Sequence, residues 1–182
     1  MKGFFRFISV LILLVSVGCG IYYRYDDTYY GGVRPKRSLF RLKGTPLAQN
    51  VYQIIDTNAV YINSFYDSAN EDTIVSAIRF FSNGKFYLSL VIGKSTGLIE
   101  NQYNHVDSSG YIGYFAIDKD VVKAEVFLGR SYVTYEFNVL QNGLKEMSSK
   151  IRKVGIFGGA EVSSQNIYLK YYPVELRSKP NW

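Results

Sequence analysis

The chain offers a single imidazole, His105, within Asn104-His105-Val106-Asp107-Ser108-Ser109. A serine, a histidine base and an orienting carboxylate are the parts of an acyl-transfer triad. Packed into one short loop they can hardly adopt the triad's geometry, so a polar loop histidine is the better reading. Carboxylates occur singly or as Asp26-Asp27 and Glu71-Asp72. Glycosidase chemistry needs two of them about 5 to 10 Å apart, a condition many surface pairs meet by accident. Gly93-Lys94-Ser95-Thr96-Gly97 holds the Gly-Lys-Ser of a phosphate loop. Leu88, in a strand pattern, stands where that motif needs its first glycine, and no helix pattern follows. Gly155-Ile156-Phe157-Gly158-Gly159 reads as a turn or bulge, without the strand-then-helix context of a dinucleotide fingerprint. One cysteine and one histidine exclude an intramolecular disulfide and a self-contained zinc finger. The expectation is a protein without metal or cofactor that is not an enzyme.

Cys19 is the remaining group with chemistry of its own. Lys2 and Arg6 give a positive start, Phe7 to Val17 is an uncharged apolar run, and Ser16-Val17-Gly18 leads into the cysteine. This is the three-zone layout of a secretory signal peptide, with an apolar core shorter than the roughly 20 residues of a membrane span. Small residues followed directly by cysteine resemble the lipobox of bacterial lipoproteins, although Ser16 stands where that family prefers leucine. The resemblance implies cleavage before Cys19, diacylglycerol on its thiol, often a further acyl chain such as palmitate on the new N-terminus, and residence in the bacterial cell envelope. Gly20 after the cysteine implies the outer membrane in enteric-type hosts. Two other readings stay open: Cys19 is incidental in an ordinary secreted leader, or Phe4 to Tyr23 stays as an uncleaved span, which requires including Arg6.

Charge separates the chain into regions. The formal charge is +6, and from Gly44 onward acidic and basic residues balance at 13 each. The excess of the mature chain lies between Tyr22 and Lys43, a stretch broken by Gly31-Gly32 and Pro35. Basic residues beside a lipid anchor can each add on the order of 1 kcal/mol near anionic headgroups. A tether of this kind next to the membrane disfavours nucleic acid as a partner. The expected organisation is a signal peptide over 1–18, an anchor and basic flexible tether over 19–44, and a folded domain over 45–182.

The elements of that domain follow from periodicity. Seventeen Tyr and twelve Phe in 182 residues suit pleated sheet better than helix. No proline lies between Pro46 and Pro173, as a continuous sheet requires. Thr45-Pro46 can cap a short helix carrying Leu47, Val51, Ile54 and Ile55 on one face. Beyond it the period is mostly two. Strands are expected at 60–65, 74–82 and 85–91, the last two joined by the hairpin signal Asn83-Gly84. A polar loop follows over 93–110, then strands near 111–117, 122–126, 134–139 and 167–172, with 144–153 open to either assignment. The fold class expected is all-β, an antiparallel meander closing into a barrel or half-barrel, with a short helix possible before the first strand.

The run Ala77-Ile78-Arg79-Phe80-Phe81-Ser82-Asn83-Gly84-Lys85-Phe86-Tyr87 resembles a hairpin of small lipocalin-like bacterial lipoproteins. Gly113 to Ile117, Asp118 to Asp120 and Val121 to Phe127 are similar to a second one. The Gly-x-Trp signature of true lipocalins is missing, since the only Trp is Trp182. The resemblance thus implies a fold and carries no ligand chemistry. Tyr61, Phe65, Tyr87, Tyr111, Tyr114, Tyr135 and Tyr171 are candidates for a pocket lining if they face inward, and for core filling otherwise. The functional expectation is a lipid-anchored binding module for a small apolar or amphipathic ligand. The alternative is a protein-protein or inhibitor module, a subunit of an envelope assembly.

Overall fold

The computed structural model describes residues 25–27, 33–35, 39–45, 54–68, 71–92, 100, 102–129, 131–153, 159–173 and 176. Cys19, the 1–18 leader, Pro46, the Gly93–Gly97 motif, Gly155 to Gly158 and Trp182 lie outside these residues. The strands are β1 (Tyr25–Asp27), β2 (Val33–Pro35), β3 (Val60–Asp67), β4 (Asp72–Phe80), β5 (Lys85–Ile92) and β6 (Tyr111–Asp118). They continue as β7 (Val121–Leu128), β8 (Ser131–Leu140), β9 (Gly143–Lys153), β10 (Gly159–Ser163) and β11 (Ile167–Tyr171). Of the residues named for the helix expected before the first strand, Thr45, Ile54 and Ile55 are described, and of these Ile54 alone is helical while Ile55 lies in a bend.

Each strand from β3 to β9 pairs antiparallel with the next, β11 pairs with β9, and β11 returns to β3. The meander therefore closes into an eight-strand antiparallel barrel. Closure is tight where β9 meets β11. A Cβ on Gly143 would lie 2.1 Å from the Tyr168 carbonyl oxygen, so only glycine admits that approach. β10 runs along the same edge of β9 as β11, with Gly159 opposite Arg152 and Ile167 opposite Lys145. It behaves as an outer extension of β11, past the point where β3 pairs.

The hairpin between β4 and β5 forms, with a turn different from a two-residue Asn-Gly loop. Phe81 N–H donates to Lys85 O at 3.0 Å and Gly84 N–H to Phe81 O at 3.0 Å. Gly84 takes φ +80°, the left-handed residue that ends a longer turn and lets the strands keep their twist.

β9 resolves the ambiguous stretch as strand, and its register explains the ambiguity. Phe137 faces Glu146 while Glu136 faces Ser148, so Met147 is one residue too many, a bulge. Leu144 and Glu146 point inward before it, Ser149 and Ile151 after it, and the shift erases the period of two. β10 escaped prediction because all five of its residues are exposed, leaving no apolar alternation to read.

Side-chain direction follows from the registers. Tyr61, Ile78, Leu88, Phe115, Ala124, Phe137, Leu144 and Tyr168 share the inner face. At one end of the barrel this interior is filled. Phe80 packs against Tyr61, Phe86 and Phe115 with ring centroids 4.9 to 5.6 Å apart. Ile55 and Ala59 close that end from below, with Asp56 N–H donating to the Tyr61 hydroxyl at 3.0 Å. Burial of these rings stabilises the fold by about 1.5 to 3 kcal/mol per large apolar side chain.

Two segments cover the outer face. Tyr87, Val91, Val60 and Ala77 are buried under Tyr103 and Val106 of the loop before β6. Arg79 donates from beneath to the Tyr103 carbonyl, and Arg34 of β2 donates to the carbonyls of Val106, Ser109 and Gly110. Over β6 to β8 Phe40 packs with Tyr114, Phe127 and Tyr132. Described parts of the basic stretch over 22–43, Arg34 and residues 39–42, are therefore laid against the barrel.

Candidate functional site

The loop carrying His105 is held together by its own serine. Ser109 is buried, and its Oγ lies within donating distance of the carbonyls of Gln102 (2.6 Å) and His105 (2.8 Å), which share its one proton, and 2.7 Å from the Tyr87 hydroxyl. That hydroxyl knits the loop to the barrel wall, while His105 and Asp107 are exposed at the surface. Of the two carboxylate pairs, Asp72 is turned to the backbone, accepting from Thr73 N–H at 2.7 Å. Among the described residues no three of His, Cys, Asp or Glu come together as a metal would need.

The seven aromatic candidates divide. Tyr61, Phe65, Tyr111 and Tyr135 face inward; Tyr87, Tyr114 and Tyr171 face outward. Tyr87 lies under the loop and Tyr114 beside Phe40, so both serve packing. Tyr61 belongs to the filled end, and burial pushes its hydroxyl up to about 12.

The other half of the interior differs in kind. Here the inward positions are Asn63 and Phe65 on β3, Ile74 and Ser76 on β4, and Leu90 on β5. Tyr111, Val126, Val133, Tyr135, Glu146, Ile151 and Tyr168 complete the ring from β6, β7, β8, β9 and β11, and Val126, Val133 and Ile151 pack into the core. Leu90 and Phe65 are exposed although they point inward, as residues at the mouth of a cup would be. Tyr135 stacks on Phe137, its neighbour toward the filled end, at 5.9 Å, and Phe137 meets Tyr168 edge-on at 5.9 Å. The aromatic packing thus stops at the level of Tyr135 and Tyr168.

Above that level the interior holds polar atoms. Glu146 is 3 % exposed, and its carboxylate accepts one hydrogen bond, from Asn166 Nδ2 at 3.0 Å. Its backbone N–H donates to Asn166 O at 2.8 Å, so Asn166 fixes the residue at both ends. Ser76 is 2 % exposed, and its Oγ has no hydrogen-bond partner of ordinary geometry. Asn63 donates to Ile167 O at 2.6 Å and leaves its own buried Oδ1 unpartnered. Burial drives the Tyr168 hydroxyl up to about 12, eased by the nearby Ser76 hydroxyl and reinforced by the Glu146 charge. Tyr135 rises further for the same first reason, with Tyr168, Glu146 and Tyr111 adding to it. Both tyrosines share one space with Glu146 and keep their protons at neutral pH.

A buried polar atom without a partner costs roughly 1 to 3 kcal/mol, so a fold seldom keeps several together without use. Apolar walls with a few converging polar groups are the composition of a small-molecule site. Glu146, Ser76 and Tyr168 did not stand out from sequence alone. Glu146 lies where the bulge disrupts the alternation, and a charged residue in a strand ordinarily marks the wet face.

A scan against protein-family models and searches of curated proteins and of solved structures each gave no match to the chain.

Proposed function

We propose that this is an exported, lipid-anchored protein of a bacterial cell envelope whose barrel takes a small amphipathic ligand in its open half. The observation behind the binding reading is the division of the interior: a filled aromatic end, then a half where Ser76, Tyr135, Glu146 and Tyr168 converge and the buried Asn63 Oδ1 has no partner of ordinary geometry. The ligand's apolar part would lie against Ile74, Leu90 and Phe65, and its polar part against the carboxylate and hydroxyls. The anchor reading rests on the leader residues and Cys19.

A second reading has its own observation. Ile167, Leu169 and Tyr171 form the outward row of β11, and each is exposed, Leu169 to 61 %. Adjacent apolar side chains on an outer face suit a protein partner, in keeping with an interaction module.

Two experiments test the proposal. Mass analysis of membrane-extracted protein should show an N-terminal peptide beginning at acylated Cys19, and loss of processing in Cys19→Ala. An intact N-terminus in both proteins contradicts the anchor. For the barrel, Ser76→Phe fills the cup without touching the outer row, and it should abolish retention of amphiphiles from an envelope extract. Retention undiminished in Ser76→Phe but lost in Leu169→Asp would transfer the function to the outer row.

A further inference from the structure

We infer that the open half of the barrel selects a ligand with a cationic head, an amphipathic amine, and that Glu146 is its counter-ion. The inference deepens the binding reading above and rests on it.

The argument begins with what surrounds Glu146. An ionised carboxylate withdrawn from water costs several kcal/mol unless charge or several hydrogen bonds answer it. Glu146 has one side-chain hydrogen bond, from the neutral amide of Asn166. The described ion pairs join Lys123 to Asp118, Lys150 to Glu136 and Glu161, and Arg152 to Glu125, and none includes Glu146. Lys170, the lysine of β11, lies two residues past Tyr168 toward the filled end and makes no ion pair with it.

The neighbours of Glu146 are equally specific. Tyr135 and Tyr168 bring hydroxyls and ring faces to the same space, and Ser76 adds an almost wholly buried hydroxyl beside that of Tyr168. Carboxylate, hydroxyl oxygens and aromatic faces are the groups that receive an ammonium, by charge, by hydrogen bond and by cation–π attraction. An anionic head would instead meet a carboxylate with no cation beside it. A neutral head would leave the charge unanswered. Below the head-group level the interior is filled by Phe137 and Leu144, so the tail must run toward the mouth past Leu90, Ile74 and Phe65.

The experiment compares three probes of one chain length, octylammonium, octanol and octanoate. Each is titrated calorimetrically at pH 7 into the full-length chain in nanodiscs, with empty nanodiscs as the blank. The expected order is octylammonium first, about tenfold tighter than octanol, with octanoate weakest. Glu146→Gln keeps the shape and should lower octylammonium affinity about tenfold, to the level of octanol. Should that variant fail to fold, the order of the three probes on the wild-type chain decides alone. Equal binding of amine and alcohol, or octanoate first, overturns the cation inference and leaves the cup as a binding site. No heat above the blank for any probe overturns the binding reading itself, and this inference with it.

Discussion

Two glutamates of this barrel are almost wholly buried, Glu125 on the outer face and Glu146 inside, and their surroundings are opposite. Glu125 receives Arg152 Nη2 at 2.8 Å on one oxygen. On the other it receives the backbone N–H groups of Arg41 (2.5 Å) and Leu42 (3.2 Å). Arg152 in turn donates to Leu39 O at 2.9 Å and lies 4.4 Å from the Tyr132 ring centre, while Tyr132 accepts from Leu39 N–H. Every lone pair that matters is answered, and the result is a clamp that fastens residues 39–42 to β7, β8 and β9. Glu146 has one neutral amide and a ring of tyrosines. The same residue type at the same depth is a structural bolt in one place and an open valence in the other. Burial alone does not say which; the count of answering groups does.

The largest effect should come from unbalancing the answered carboxylate. Arg152→Met leaves Glu125 buried without its cation and should cost about 3 kcal/mol, read as a lower urea midpoint. It should also release residues 39–42, read as faster amide exchange at Arg41 and Leu42. A midpoint that does not move would mean that the clamp is ornamental and the contrast with Glu146 empty.

Asn166→Ala removes the one group holding the Glu146 carboxylate and should cost about 1 kcal/mol. Glu146→Gln and Tyr135→Phe should each change stability by less than about 0.5 kcal/mol, or raise it, because they remove groups the protein itself does not answer. If Glu146→Gln costs as much as Arg152→Met, then Glu146 is a bolt as well.

The smallest effect is a slope. A tyrosine whose folded pKa is raised keeps its proton after the unfolded chain has lost its own. The contribution of Tyr168 is therefore whole below pH 10 and is lost as pH rises from 10 to about 12. Arg34 and Arg79, lowered to about 10 by burial, act in the opposite sense over the same range. The test is thus differential: stability of Tyr168→Phe should fall less steeply than wild type between pH 10 and 12. Parallel curves would mean that the Tyr168 hydroxyl is as solvated in the fold as out of it.

Much of the barrel was legible in the sequence, and little of the site. Ile74 to Ser82 and Lys85 to Val91 announced themselves because one face is apolar and a glycine supplies the turn. The closure through β11 was not readable, since a pairing between residues some 111 apart, Val60 with Tyr171, leaves no local signal. β1 and β2 lie in a stretch that composition describes as a tether, yet Arg34 reaches three carbonyls of the loop before β6. Arginine in such a run looks solvated until a partner surface exists. Glu146 was hidden by the bulge at Met147, and Ser76 by its size. The features that make a site, polar residues facing inward, are those that a periodicity argument assigns to the outside.

The most direct test of the open half as a binding site is a methyl and aromatic NMR titration of the full-length chain in nanodiscs with octylammonium. Resonances of Ile74, Leu90 and Tyr135 should shift with a common saturation curve, while Val122 and Phe86 in the filled end stay still. Shifts confined to Ile167 and Leu169 on the outer row, or none at all, would contradict the account.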